Sequence, residues 1–389
     1  MRLRIGTSTE TDTAEAVAAA SRTALADARS PALALVFATF EYDPEVVARA
    51  AKSALHGIPW AGVVTPAILA DRRVIPRGVA VGVIDGDRAK VRIGGAQAEK
   101  GTDPREAGRR AARDALAEMP LPPADRSRAM FLFADTANQD ATEVVHGALS
   151  VAGAGIAWGG GGTGSLERGA RVAHFVNGAT CRDHVLAITL DCHARIGVGI
   201  KHGWQPTGSP AMVTRAAGTL VEQLEHRQAF EIYREAAEEA GQALDAENFG
   251  RFAMCHPLGI PQADGEYLVR DPLALEDAGA LRFLAGVPDG AIVRVMEGTP
   301  AMLVDAAREA ASMARKDAGG PLGGAFVFDC ISRYLVLGDR LHDELAACHG
   351  ALGDDVPVLG CLTFGEVGAF GSRLPQFHNK TMVVLALPA

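Results

Sequence analysis

The chain has 389 residues, of which 48% are apolar and 22% charged, and its formal net charge is −9. A chain of this length exceeds what one hydrophobic core usually supports, so two or more packed units are expected. Its acidic balance, with no block of basic residues, argues against a nucleic-acid partner.

Neither the N-terminus nor the apolar runs indicate export or a membrane. The first residues, MRLRIGTSTE, lack the apolar stretch of a signal peptide. The longest apolar runs, such as VAVGVI and MVVLALP, do not approach the roughly 18 residues that cross a bilayer. The scattered cysteines form no C-x-x-C pair, so no zinc signature is present. We therefore expect a cytoplasmic protein without a membrane partner.

The predicted elements follow one order three times along the chain. Three stretches, 31–84, 126–190 and 323–388, each open with a short apolar strand: LVFATF, MFLFAD and AFVFDC. A polar loop and a helix with apolar residues at helical spacing come next. A brief strand, a turn with glycine and threonine (GVVTP, GGGGTGS, GCLTFGEVG) and one or two closing strands complete each unit.

A further strand and helix precede each unit, which strengthens the repeat. For the third unit these are AIVRVMEG and AMLVDAAREAASMAR, and a different segment, about 191–290, separates it from the second unit. We predict an α/β protein with sheets flanked by helices. Two associated α/β domains, 1–212 and 213–389, would be built from repeated strand-helix-strand-strand units.

The stretch WGGGGTGS contains G-x-G-x-x-G at Gly159, Gly161 and Gly164. A dinucleotide fingerprint needs a helix directly afterwards to hold the pyrophosphate, whereas SLERGARVAHFVNG indicates a turn and a strand. No Lys-Ser/Thr pair follows this glycine stretch to form a P-loop. Two interpretations stay open: backbone N–H groups that meet an anionic ligand, or a tight turn between strands.

Catalytic and metal-binding patterns are sparse. There is no G-x-S-x-G nucleophile elbow. Cys330 could act as a nucleophile if a base such as His378 lay near, although a cysteine in an apolar strand also serves as a small buried side chain. Glu366 has no partner acid at an identifiable spacing. No H-x-x-x-H pattern marks a metal site, and His202 and His378 are the loop-placed candidates for a haem axial ligand.

Two arginines follow predicted strands, Arg270 in EYLVRDP and Arg333 in DCISRYL. A guanidinium at a strand end can bind a ligand carboxylate through two parallel hydrogen bonds. Each arginine can equally pair with its neighbouring acid, Asp271 or Asp329. Together with the glycine stretches, the two arginines favour an anionic small ligand.

Several short motifs stand in a fixed order along the chain. In the C-terminal part they are FDCISR (328–333), VPVLG (356–360), GEVG (365–368) and NKT (379–381). This ordered set resembles the FIST domain family, as do PLGI, YLVRDP and AFEIY in the middle and MFLFAD with WGGGGTGS in the N-terminal half. The first unit departs from the family, because AGVVTPAIL keeps only Gly62 and Thr65 of a more polar turn. That departure puts the family's ligand preference in question for this chain.

The resemblance implies a sensory, non-catalytic protein that binds an amino-acid-like or other small carboxylate ligand in a cleft between the domains. Some stand-alone bacterial members look like haem-binding nitric oxide sensors that regulate separate histidine kinases, so haem and a kinase partner stay open as an alternative. An enzyme that uses Cys330 or Glu366 is a second alternative. We see no output domain on the chain. The residues expected to bind the ligand are Thr65, Gly160, Gly161, Gly162, Thr163, Arg270, Cys330, Arg333, Thr363, Gly365, Glu366, His378 and Asn379.

Overall fold

The structure is a computed structural model that describes residues 1–87, 89–122, 126–137, 139–166, 170–239, 241–369 and 373–389. Within this part of the chain, mixed sheets are flanked by α-helices, which confirms the α/β prediction. None of its helices combines the length and the apolar character needed to cross a bilayer. The domain boundary between residues 212 and 213 stays a prediction.

The first two units have the same order of elements. The first consists of β1 (Arg2–Ser8), α1 (Thr13–Leu25), β2 (Pro31–Thr39), α2 (Pro44–Ala54), β3 (Trp60–Thr65), β4 (Ile68–Ala70), β5 (Arg73–Ile75) and β6 (Val79–Asp85). The second consists of β7 (Lys90–Gln97), α3 (Pro104–Leu116), β8 (Ser127–Asp135), α4 (Ala141–Ala152), β9 (Ala157–Thr163), β10 (His174–Val176), β11 (Ala179–Cys181) and β12 (His184–Cys192).

An aspartate begins each helix of these two units. The side chains of Asp12, Asp43, Asp103 and Asp140 accept hydrogen bonds from backbone N–H groups of the first helical turn. An acceptor at this position satisfies donors that have no partner within the helix, and its charge suits the helix dipole. The local sequence therefore determines where these four helices start.

The third unit is interrupted after its first strand, β13 (Gly197–Lys201). The inserted segment contains β14 (Gln205–Pro206), β15 (Ala211–Ala217), β16 (Leu220–Leu224), β17 (Arg227–Gln228), α5 (Ala229–Glu239), α6 (Phe249–Cys255), β18 (Leu258–Pro261), β19 (Tyr267–Arg270), β20 (Pro272–Leu275), β21 (Leu281–Phe283) and β22 (Ile292–Glu297). The unit then resumes with α7 (Pro300–Ala318), β23 (Leu322–Cys330), α8 (Ile331–Leu337), α9 (Leu341–Leu352), β24 (Val358–Thr363), β25 (Glu366–Gly368), β26 (Gln376–His378) and β27 (Met382–Pro388).

Each unit forms a sheet that a neighbouring unit completes. The first unit has the strand order β1-β6-β2-β3, and the hairpin β10-β11 of the second unit extends it. The second unit has the order β7-β12-β8-β9, which the hairpin β25-β26 of the third unit extends. The third unit has the order β13-β27-β23-β24, which the hairpin β4-β5 of the first unit extends. In every case the hairpin leaves its own unit and pairs antiparallel with the edge strand of another unit, which is β3, β9 or β24. The three exchanges form a closed cycle, which confirms the repeat predicted from the sequence.

The strand expected before the third unit is placed differently by the structure. β22, which contains most of AIVRVMEG, pairs with β15 and β18 in the sheet of the inserted segment. The first strand of the third unit is instead β13, which pairs with β27. The apolar pattern identified a strand correctly, but sequence adjacency to α7 did not determine its partner.

The glycine and threonine stretches lie in strands rather than in turns. Gly62, Gly160 and Gly360 occupy the same register position in β3, β9 and β24, opposite the central strand of each unit. A Cβ atom there would lie 1.9, 2.2 and 1.7 Å, respectively, from the carbonyl oxygen of the residue opposite. The glycine of the repeated G-x-x-T pattern is therefore required for the close approach of the two strand backbones.

The inner faces of the three sheets share one apolar core. It contains Phe131 and Phe133 of β8 and Phe326 and Phe328 of β23. Their rings meet edge to face, with centroids 5.3 to 6.2 Å apart. This geometry is the one that aromatic pairs prefer, and it joins the second sheet to the third.

We expect Gly360→Ala to destabilise the protein by about 2 kcal/mol or more, because the new methyl group would overlap the Val327 carbonyl. Gly350→Ala is the matched control, since this glycine lies in α9 with no atom within 4 Å of the added Cβ. The control should stabilise by about 0.5–1 kcal/mol through helix propensity. Chemical unfolding measures both, and equal effects of the two changes would contradict the packing explanation.

Candidate ligand-binding site

The threonines predicted to bind a ligand end the strand beside each central strand. Thr65, Thr163 and Thr363 are the last residues of β3, β9 and β24, and all three are buried. The hydroxyl of Thr65 donates to a backbone carbonyl of β24 at 2.8 Å, and that of Thr163 lies 2.8 Å from Nε2 of His174. The hydroxyl of Thr363 donates to Oε1 of Glu366 at 2.9 Å. All three hydroxyls are thus engaged inside the protein.

Glu366 has two counterparts in the repeat. The hairpins β4-β5, β10-β11 and β25-β26 begin with Ile68, His174 and Glu366, respectively. Each of these residues pairs with the residue two positions before the threonine that ends the neighbouring strand. His174 and Glu366 both contact the threonine of their own unit, whereas Ile68 is apolar. The carboxylate is therefore specific to the third unit.

The carboxyl group of Glu366 is completely buried. Besides Thr363, the backbone N–H of Thr381 donates to its Oε2 at 3.1 Å, and the thiol of Cys330 donates to it. Burial raises the pKa of Glu366 to about 8, against the lowering effect of these hydrogen bonds. Burial, and next the charge of Glu366, raise the pKa of the Cys330 thiol. A thiol held protonated is a poor nucleophile.

Arg333 is fully buried, and its two Nη atoms donate four hydrogen bonds to oxygen atoms of the protein, while its Nε makes an ion-pair contact with a fifth oxygen. Nε lies 2.9 Å from Oδ1 of Asp329, and one Nη donates to Glu344. The remaining acceptors are the backbone carbonyls of His202, Leu303 and Lys380. The guanidinium therefore joins α7, β23, α9, the residue after β13 and the loop before β27.

The two acids beside Arg333 are also fully buried. Burial raises the pKa of Asp329 well above its usual range, and the charge of Glu344 raises it further. Burial likewise raises the pKa of Glu344, while Arg333 opposes that effect. A shared proton between the two acids leaves one negative charge to balance the guanidinium, which avoids an unpaired charge in the interior.

A second buried ion pair fastens the inserted segment to the third unit. The ammonium of Lys380 lies 2.9 Å from Oδ1 of Asp271 and donates to the carbonyl of Met254 at 2.8 Å. The hydroxyl of Ser332 donates to Oδ2 of Asp271 at 2.5 Å. Asp271 and Met254 belong to the inserted segment, so this contact joins the two parts of the chain.

The other predicted residues lie at the same junction. Arg270 donates to the backbone carbonyls of Gly286 and Phe377, and burial lowers the pKa of its guanidinium to about 10. Asn379 accepts from the backbone N–H of Asp271 at 3.2 Å and donates to the carbonyl of His378 at 2.9 Å. These side chains pack against protein atoms, and ligand binding by them stays a prediction.

The glycines of β9 are packed equally closely. A Cβ atom on Gly161 would lie 2.4 Å from the carbonyl oxygen of Gly365 and 2.9 Å from the side chain of Thr363. The neighbouring Gly162 donates its N–H to that same carbonyl at 2.8 Å. The structure thus brings predicted residues from both halves of the chain together, and these residues contact one another inside the protein.

A cavity of about 180 Å³ lies between the inserted segment and the third unit; we call it the His202 cavity. The charged groups that line it are those of Lys201, Glu266, Asp305 and Glu309. The ammonium of Lys201 lies 2.6 Å from Oε1 of Glu266 and 3.6 Å from Oε2 of Glu309. One ammonium among three carboxylates leaves an excess of two negative charges around the cavity.

Two protein-family models match the chain, the FIST N domain at residues 32–227 and the FIST C domain at residues 229–369. The chain belongs to the FIST family. FIST domains are associated with signal-transduction sensing of small ligands. This result confirms the resemblance inferred from the ordered motifs.

No curated protein matches this FIST chain. Among solved structures, a cyanuric acid hydrolase from A. caulinodans is 8% identical, and the match covers 100% of this chain and 99% of that one with a TM-score of 0.30. T. maritima PurL complexed with ADP is 12% identical, with 99% and 71% covered and a TM-score of 0.19. Neither similarity is strong enough to carry a conclusion about this protein.

The two histidines proposed as haem ligands are buried, and a ring nitrogen of each contacts a backbone group. A ligating histidine binds through one nitrogen and donates the other N–H to an acceptor. Nδ1 of His202 instead accepts from the backbone N–H of Trp204 at 3.0 Å, and Nε2 of His378 lies 3.2 Å from the carbonyl of Gly368. His202 lacks that pattern, the contact of His378 with a carbonyl is compatible with it, and haem ligation by either residue stays a prediction.

No motif in the sequence indicates the charged residues of the His202 cavity. Asp305 and Glu309 lie one turn apart on α7, where acidic residues normally form a solvated helix face. Lys201 and Glu266 lie 65 positions apart and meet only because the inserted segment folds back on β13. The large separation along the chain explains why no motif indicated them.

We expect Arg333→Met to destabilise the protein by about 3–5 kcal/mol, because it leaves Asp329 and Glu344 buried without a cation. Arg340→Met is the matched control, since Arg340 pairs with Asp343 at the surface and should matter little. Urea unfolding measures both variants. A cost for Arg333→Met as small as that of the control would exclude the proposed role of the guanidinium.

Glu366→Gln should change how stability depends on pH. The folded-state pKa of Glu366 is raised, so its contribution is fully present below about pH 4.5 and is lost as the pH rises through about 8. As the pH rises across this range, the free energy of unfolding of the wild-type protein should therefore fall relative to that of Glu366→Gln. Urea unfolding at several pH values measures the difference, with exposed Glu41→Gln as the control, and parallel profiles for wild type and Glu366→Gln would contradict the assignment.

Proposed function

We propose that this FIST protein senses a small amino-acid-like molecule with a primary ammonium group, bound in the His202 cavity. The observation that carries the proposal is the convergence of three carboxylates and one ammonium around a space of suitable size. A volume of about 180 Å³ equals the share of roughly six water molecules. The cavity therefore suits a ligand of few heavy atoms.

The charges of the cavity favour a zwitterion or an amine over a free carboxylate. Lys201 is closest to Glu266, and Asp305 pairs with Arg308 at the surface, so Glu309, 3.6 Å from Lys201, is the carboxylate most accessible to a ligand ammonium group. The ammonium of Lys201 would then face the carboxylate of the ligand. This arrangement agrees with the amino-acid-like ligand that the family resemblance implies. The ammonium group of that ligand would make the main charged contacts with the cavity.

The place of the cavity supports a sensory role. His202 lines it, and the carbonyl of the same residue accepts from the buried guanidinium of Arg333. Met302 also lines it, next to Leu303, whose carbonyl is another Arg333 acceptor. A ligand at this position would act on the contacts between the inserted segment and the third unit. A separate signalling protein, such as a histidine kinase, would respond to that change through coupling between two sites.

Thermal-shift measurements with matched compounds test the proposal. A small amino acid and the corresponding amine should stabilise the protein, by about 2.7 kcal/mol at 100 times the dissociation constant, whereas the N-acetyl amino acid should not. Glu309→Gln should weaken the response at least fivefold. Glu41→Gln removes an exposed carboxylate that lines none of the cavities described, and it should leave the response unchanged. Absence of any response, or an equal response to the N-acetyl compound, would refute the proposed recognition.

A further inference from the structure

The hairpin formed by β18 and β19 closes one side of the His202 cavity. Its base is anchored in the sheet of the inserted segment, because Leu258 and Gly259 of β18 pair with β22 as well as with β19. Further along β18, Ile260 and Pro261 pair with β19. Glu266 directly precedes β19 and is the residue through which this hairpin lines the cavity. The hairpin therefore projects from its sheet and contributes one carboxylate to the cavity wall.

The tip of this hairpin, residues 262–266, keeps its shape through its own hydrogen bonds. The backbone N–H of Gln262 donates to the carbonyl of Glu266 at 2.8 Å, and that of Gly265 donates to the carbonyl of Gln262 at 3.0 Å. Residues 263–265 are exposed, and Gln262 and Glu266 are half-buried. A segment with few buried apolar contacts opens locally at low cost. The tip therefore depends on other contacts to stay beside the third unit.

Two ion pairs join the tip to the third unit. The ammonium of Lys201 on β13 lies 2.6 Å from Oε1 of Glu266, and Asp264 pairs with Arg373. The side chains of Lys201 and Glu266 are 23% and 33% exposed, so water and salt weaken their attraction. The same ammonium lies 3.6 Å from Oε2 of Glu309 on α7. Lys201 therefore links the hairpin to both β13 and α7 at the edge of the cavity.

We propose that the ion pair between Lys201 and Glu266 is a latch that holds the β18-β19 hairpin over the His202 cavity, and that a bound ligand opens it. This inference rests on the proposed function, in which Lys201 faces the carboxylate of the ligand. The ligand carboxylate and Glu266 compete for one ammonium, so binding weakens the contact that holds the tip. The released tip is then the changed surface that a partner protein contacts.

Competition for Lys201 has a thermodynamic consequence. Because the ligand binds more tightly when the latch is open, the apparent dissociation constant depends on the fraction of molecules in which it is open. Coupling between two events is reciprocal, so a change that opens the latch must also strengthen ligand binding. Removal of Glu266 and removal of Glu309 should therefore have opposite effects on affinity, although both residues line the same cavity.

Hydrogen exchange of the full-length protein without ligand tests the latch. Glu266→Gln should speed the exchange of the amides of residues 260–268 about two- to fivefold, the effect of losing one partly exposed ion pair. A two-stranded hairpin without further support is only marginally stable, so its amides report the loss. Glu222→Gln is the matched control, since it removes the ion pair with Arg215 at 2.8 Å in the same sheet. Equal exchange of the hairpin in wild type and Glu266→Gln would overturn the latch.

Calorimetry with alanine as the probe tests the coupling to the ligand. Glu266→Gln should bind alanine about two- to fivefold more tightly than wild type, whereas Glu309→Gln should bind it more weakly. Alanine should also speed exchange of the hairpin in the wild-type protein while it raises the melting temperature. Weaker alanine binding by Glu266→Gln would overturn the competition for Lys201. If alanine and other small amines bind neither protein, the proposed function fails, and exchange without ligand still decides whether the latch exists.

Discussion

The exchange of one hairpin between neighbouring units is the constraint on which the rest of this structure depends. Without the hairpin from another unit, the edge strands β3, β9 and β24 would have backbone N–H and C=O groups without partners. Such unpaired groups are costly in a protein interior. Because β4-β5, β10-β11 and β25-β26 all leave their own units, no unit can complete its own sheet. The cycle therefore couples residues near both ends of the chain. Gly62, Gly160 and Gly360 let the strand that receives each hairpin approach the central strand of its own unit.

The third unit differs from the other two because it accommodates an insertion between its first strand and its first helix. Buried charges concentrate where the inserted segment meets that unit: Arg333 with two acids, and Lys380 with Asp271. Such pairs add little net stability compared with apolar contacts, but they tolerate few alternative arrangements. We interpret them as the groups that set the position of the inserted segment. A ligand beside this junction would act on contacts that are already sensitive to geometry.

The residues with the most distinctive motifs lie inside the protein, whereas the His202 cavity lies where the inserted segment meets the third unit. Arg333, Glu366 and Asn379 belong to recognisable motifs, yet each forms hydrogen bonds within the fold. Lys201 and Glu309 line that cavity, yet each resembles an ordinary surface residue in the sequence. The motifs mark residues that the fold requires, because close backbone packing and buried charges restrict which residue types are tolerated. Positions at the solvent-exposed edge of a cavity are restricted less.

The sequence by itself indicated the α/β class and the threefold repeat, because apolar periodicity and the glycine and threonine stretches act over a few residues, and the resemblance of its ordered motifs indicated the family. Only the tertiary structure decided which strand each hairpin joins, that β13 rather than β22 begins the third unit, and that Ile68, His174 and Glu366 are equivalent. It also decided where the His202 cavity lies. These features depend on contacts between residues far apart in the chain, and the pairing energy of a strand is nearly the same for many partners, so no local pattern can select among them.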